Sequence, residues 1–242
     1  MVGCVTEQAP AGRAGATLPL FPLQTVLLPG TNLPLHLFEP RYRQLAVDLV
    51  TGTVPDRRFG IVALRSAAMR EVDTVEHVET VGCEAVLREA ERLPDGRFDI
   101  IITGGRRFRL LDVDPTAAPY LLGTVRWVDD EPLAPRTVEA AGQLADVTRE
   151  AHRRYCESAW NTGDWSAPGE DAKIDELAYL LAADCLLPLG DRQRLLEETH
   201  PLRRLRIACQ LLTREAGFLS RLRAVPAPPA ELPRLSGPSS LN

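Results

Sequence analysis

His152 and Cys156 stand four residues apart in HRRYC. On a helix that spacing sets both side chains on one face, which suits half of a metal site or a thiol activated by imidazole. An inert, partly buried thiol beside an ordinary helix residue satisfies the same pattern and is the weightier account. Lys173, in GEDAKID, is the single lysine among 28 basic residues, so any lysine-dependent chemistry must use it or borrow one from another chain. It has no glycine pattern around it and no Ser or Thr after it, which excludes the phosphate-cradling loop G-x-x-x-x-G-K-[ST]. A Ser–Lys dyad would pair it with Ser166, in a stretch with nothing to hold either side chain rigid. No serine sits in the G-x-S-x-G elbow of the hydrolases.

The remaining reactive types are scattered. Glu170, Asp171, Asp175 and Glu176 lack a calcium-loop pattern and suit a solvated helix start. GGRRFR at 104–109 could hold an anion, but glycine leading into a strand is the commoner use. Trp127, Trp160 and Trp165 suit core or loop packing better than a binding surface. Cys185 and Cys209 fall on apolar helical stripes, as core residues do. No catalytic residue, metal site or cofactor is expected.

Bulk properties narrow the class further. Five cysteines, an odd number with no C-x-x-C pair, point to free thiols in a reducing compartment. The first 16 residues lack the basic and apolar regions of a secretory signal, so a cytoplasmic protein is expected. A net charge of −5 counts against nucleic-acid binding through a basic face, although arginines 106, 107, 109 and 126 could cluster.

The elements that must position any site begin with an unusual run. Residues 14–38 contain no Asp, Glu, Lys or Arg, but Pro19, Pro22, Pro29 and Pro34 interrupt them. Each interior proline costs a helix about 3 kcal/mol, so no bilayer-spanning helix forms here. Residues 25–28, TVLL, read as a short strand, Pro29 to Asn32 as a turn, and 33–38 as a half-buried strand. There Leu33, Leu35 and Leu37 point one way, and Pro34, His36 and Phe38 the other. Pro40 then opens a short helix whose apolar face is Tyr42, Leu45, Ala46, Leu49 and Val50, ended by Gly52.

Further strands are expected at 58–65, 81–93, 97–105, 106–114 and 120–130, with a hairpin turn at Pro94, Asp95 and Gly96. This suggests a small barrel or curled sheet. Four helices follow, at 138–159, 175–187, 191–198 and 200–222, the last capped by Thr199. The first carries apolar side chains at 138, 141, 144, 147, 151 and 155. The expected organisation is a flexible N-terminus (1–16), a β-rich subdomain (17–130), a helical subdomain (131–222) and a disordered Pro/Ser-rich tail (223–242).

The ordered series PLFPL, PG, LPL and FEPRY, then FGIVAL, VGCEAVLREAERLPDGRFDIIITGGRRFRLLDV and the last two helices, resembles the Lon protease N-terminal substrate-binding domain. The resemblance covers roughly residues 17–220 and is closest to the stand-alone bacterial version of that domain. It implies an α+β fold, with a PUA-like β-barrel followed by a helical bundle. It also implies a non-catalytic module for unfolded or extended polypeptide segments, working with a separate protease or chaperone. The ATPase and protease modules of Lon have no counterpart here, so a peptidase label would be inherited from the larger protein. The peptide-binding residues expected are Pro34, His36 and Phe38, because a proline-broken edge strand can accept an extended chain. RNA binding by the barrel and an enzyme built on the His152/Cys156 pair are the alternatives.

Overall fold

The computed structural model of the protein describes residues 15–66, 68, 71–160 and 165–222. The expected Pro/Ser-rich tail, and residues 1–14 of the expected N-terminal extension, lie outside the described residues.

The fold is mixed α+β. Six strands come first: β1 (Ala16–Leu23), β2 (Asn32–Leu37), β3 (Arg58–Ala63), β4 (Val81–Arg92), β5 (Phe98–Asp114) and β6 (Leu122–Val128), with helix α1 (Pro40–Thr51) after β2. Then come α2 (Val138–Ala159), α3 (Ile174–Ala182), α4 (Leu189–Glu197) and α5 (Pro201–Leu222). The strand order is β2-β5-β4-β3-β1-β6, and an additional β5–β6 pairing closes five of the strands into a ring, leaving β2 outside on β5.

The first strand lies elsewhere than expected. Residues 25–28 form no strand; Val26, Leu27 and Leu28 are buried in an irregular connection, and the strand is the proline-containing Ala16–Leu23. Its pairing explains why prolines are tolerated. Residues 16–19 face only β6 and residues 20–23 face only β3, so each half has one open flank, where a missing N–H breaks no ladder.

The expected break at 105 is also absent, because β5 runs unbroken through Gly104 and Gly105. It pairs with β2 over 98–103 and with β6 over 107–114. A Cβ on Gly104 would lie 2.1 Å from the Leu28 carbonyl oxygen, so the glycine admits the chain that leads into β2. Gly104→Ala is therefore expected to cost about 1–3 kcal/mol in urea denaturation, since backbone must move to accept it. An unchanged midpoint would show that the connection yields freely.

The two faces of the ring bury different cores. Leu20, Val62, Phe108, Leu110 and Val125 form the smaller one, where Gly82 makes room for the Phe108 ring. The larger runs from Phe21, Phe59 and Cys83 to Leu177, Leu205 and Leu212, so strands and helices share it. Of the expected helical faces, Tyr42, Leu45, Ala46 and Leu49 of α1 and Ala141, Ala151 and Tyr155 of α2 are buried, whereas Val50 and Val147 are exposed. Helix α2 also buries Ala145, Thr148, His152 and Cys156. The Thr199 hydroxyl donates to Glu131 and does not cap α5.

A polar latch joins the halves. Arg204 of α5, fully buried, donates to Asp130 Oδ1 at 2.9 Å and Oδ2 at 2.6 Å. Arg107 of β5 donates to the same Oδ1 and to the carbonyls of Leu196 and Glu198 at 2.9 Å. The Arg204 guanidinium also stacks 4.2 Å over the Tyr179 ring of α3.

Candidate functional site

The site starts from the outer position of β2. The turn at Pro29 and Gly30 (φ 75°) reverses the chain, and the Gly104 N–H donates to the Thr31 carbonyl at 2.9 Å. Stepping by twos from that bonded pair directs the backbones of Leu33, Leu35 and Leu37 to β5. Pro34 and His36 turn theirs to the open edge, and Pro34 has no N–H to leave unsatisfied there. Side chains alternate as expected: Leu37 is buried and Leu33 and Leu35 half-buried, while Pro34, His36 and Phe38 are exposed, Phe38 by 62%.

These three residues do not converge on one cavity. Pro34 and His36 line a 490 Å³ depression over the β2–β5 face, with Glu89, Glu91 and Ile101. His36 and Phe38 line a 750 Å³ groove formed with the end of β1 and the first turn of α1. Phe21 and Tyr42, which the sequence marks only as ordinary apolar positions, stack at 3.9 Å in this groove. Leu23, Leu64, Val72 and Leu121 add further apolar wall. Burial pushes the Tyr42 hydroxyl up to about 12, so the ring stays neutral.

The polar rim is organised by geometry. Arg97 can only donate, so its 3.1 Å contact with His36 Nε2 assigns the proton to Nδ1, which donates to Asp99 at 2.5 Å. His36 is thus held upright, 6.5 Å from the Phe38 ring. Across the groove Arg41 bonds Glu39 Oε2 at 2.8 Å and 3.1 Å and lies 4.7 Å over the Tyr42 ring. The arrangement offers an aromatic and aliphatic channel with bonded charges at its rim and an unpaired strand edge beside it. That chemistry suits an extended chain with apolar side chains.

His152 Nε2 and Cys156 Sγ come within 3.4 Å of each other. Lys173 is exposed and lies 3.9 Å from Glu176. The four arginines do not cluster: Arg107 is buried in the latch, and Arg106 lies over Trp127 and pairs with Asp129. Only Arg109 and Arg126 face each other, across β5 and β6. Trp160 is buried, and Trp165 packs edge-on against His152. Among the described residues no three His, Cys, Asp or Glu side chains could hold a metal ion, and no helix is long and apolar enough to cross a membrane.

Residues 17–214 match the family model of the ATP-dependent protease La (LON) substrate-binding domain. The chain belongs to the Lon substrate-binding domain family. Curated Lon relatives include Lon protease 1 of Thermus thermophilus, 29% identical over 205 residues and 82% of this chain. Another is Lon protease of Anaeromyxobacter dehalogenans, 26% identical over 218 residues and 84% of this chain. The chain spans about a quarter of these Lon proteases, 24% of each. A solved Lon N-terminal domain protein from Xanthomonas campestris superposes with a TM-score of 0.56 at 26% identity, covering 79% of this chain and 95% of that one. The N-terminal domain of a Mycobacterium avium complex Lon protease shares the fold, with a TM-score of 0.59 at 17% identity over 82% of this chain and 98% of that one. The Lon substrate-binding match accounts for nearly the whole described chain, strands and helices together.

Proposed function

We propose that this chain is a non-catalytic polypeptide-binding module that holds extended, apolar segments in the groove between β1, β2 and α1. The single observation that carries this reading is Phe38, exposed by 62% at the mouth of a channel lined by Phe21, Leu23 and Tyr42. A large exposed aromatic beside buried apolar wall is a surface prepared for contact. The open edge of β2 supplies backbone groups that bind without regard to sequence, which fits diverse clients. Pro34 belongs to the adjoining depression over the β2–β5 face, and His36 borders both that depression and the channel. Within this reading the closed strand ring is the PUA-like barrel of 17–130, and the helices of 131–222 are a bundle that braces it. Working inside bacterial cytoplasm, the module serves a separate protease or chaperone as an adaptor in quality control.

The test is titration of a fluorescently labelled, permanently unfolded polypeptide with the purified chain. Saturable binding in the micromolar range, competed by unlabelled apolar peptide and insensitive to salt, is expected. Absence of saturation, or binding abolished by moderate salt, would overturn the reading, the latter in favour of an electrostatic partner.

A further inference from the structure

The densest group of reactive side chains away from the groove lies in the helical half. Cys156, in the last turn of α2, is fully buried with its Sγ 3.4 Å from His152 Nε2. Cys185, in the connection from α3 to α4, is equally enclosed. Its Sγ donates to the Leu181 carbonyl at 3.2 Å, and the Cys156 side chain is its neighbour across the α2 interface. The connection is fastened to α2 beside the thiols, because Leu186 N–H donates to the Tyr155 hydroxyl at 2.8 Å. Arg192 steadies it from α4 by donating to the Cys185 carbonyl at 3.1 Å.

Burial alone makes a thiol inert, as at Cys83, whose proton is held more tightly than usual by desolvation. Cys156 is shifted the opposite way: the neighbouring Cys185 thiol, and then His152, favour its thiolate. The same contact, with burial, raises Cys185. One sulfur is thus prepared to attack and the other to follow. The nearest opening lies on the His152 side. A 330 Å³ cavity lined by His152, Trp165, Arg149 and Leu181 opens onto the imidazole, and Leu181 supplies the carbonyl that holds Cys185.

We propose that Cys156 and Cys185 are a reversible redox pair, oxidised to an intramolecular disulfide by a hydroperoxide that enters beside His152. His152 takes the Cys156 proton, and the thiolate attacks one peroxide oxygen. The O–O bond breaks, and the leaving hydroxide (alkoxide for an organic peroxide) recovers that proton from the imidazolium, giving water or the alcohol. Cys185 sulfur then attacks the sulfenic sulfur; the S–O bond breaks and hydroxide leaves as water with the Cys185 proton. Two thiols lose two electrons and the peroxide gains them. The new bond ties α2 to the α3–α4 connection.

The experiment uses the full reduced chain exposed to stoichiometric hydrogen peroxide, quenched with an alkylating agent in urea, and mapped by mass spectrometry without reduction. A Cys156–Cys185 cross-link that dithiothreitol reverses is expected, with Cys83 and Cys209 alkylated. Cys185→Ala should leave Cys156 as a sulfenic acid captured by dimedone, and His152→Gln should slow cross-linking by about tenfold or more. Alkylation of both Cys156 and Cys185 after oxidation, or a dominant cross-link to another cysteine, would overturn the proposal. The wild-type map decides this even where a variant fails to fold.

Discussion

Asp130→Ala is expected to destabilise the fold by about 3–5 kcal/mol, the cost of leaving buried cations without their partner. Asp130 receives both guanidinium nitrogens of fully buried Arg204 and one from Arg107, which is 4% exposed. Without the carboxylate those two buried charges face carbonyl dipoles, and each other, with only the partly exposed Asp130 side open to water. For a chain of this size the loss corresponds to a melting temperature lower by roughly 6–20 °C. Urea denaturation followed by circular dichroism measures it. Replacing Asp130, Arg107 and Arg204 together by apolar residues of similar volume should recover much of the loss, because the desolvation cost disappears with the charges. A single-variant effect below about 1 kcal/mol would mean that water reaches the latch and screens it.

Phe38→Asp should instead spare the fold and weaken polypeptide binding by about tenfold or more, as loss of an aromatic anchor does. Phe38 is mostly exposed, so its removal opens no cavity, and the added carboxylate stays solvated. Its effect falls on the channel, where a charge beside Phe21 and Tyr42 opposes docking of an apolar side chain. Equal affinity of the variant and wild type, with matching urea midpoints, would move the binding surface elsewhere. Pro34→Ala, on the other side of β2, tests the strand edge separately: restoring an N–H there should maintain or tighten binding of an extended chain.

Periodicity carried much of the architecture. The alternation in β2, the Pro94–Gly96 turn and the four helices after residue 137 follow from local chemistry, and the bounds of α2 agree to the residue. What local chemistry missed depends on distant partners. The prolines of β1 discourage a strand until its half-and-half pairing with β6 and β3 is known. Gly104 resembles a strand end until the Leu28 carbonyl is seen to occupy the space of a side chain. Val147 satisfies the helical stripe of α2 yet is exposed, while Ala141, Ala151 and Tyr155 are buried as expected and the buried face extends to Thr148 and His152. The site was legible in the same partial way. Pro34, His36 and Phe38 were visible as the outward row of a strand, whereas Phe21 and Tyr42 join them only after the chain folds back. Cys185 likewise is one apolar position among many until α3 carries it to Cys156.

The long strand β5 has a mechanical consequence. Six facing pairs attach β2 to one end of it, and Arg107, past its midpoint, is bonded into the helices. A chain held along β2 and drawn lengthwise by a machine loads that ladder in shear, so its hydrogen bonds resist together and do not open one by one. Tension reaching Arg107 is then shared with the backbone of α4 and, through Asp130, with α5. On the proposed reading, a shallow and sequence-tolerant grip would still transmit a pull, because the anchorage lies in the strand behind it.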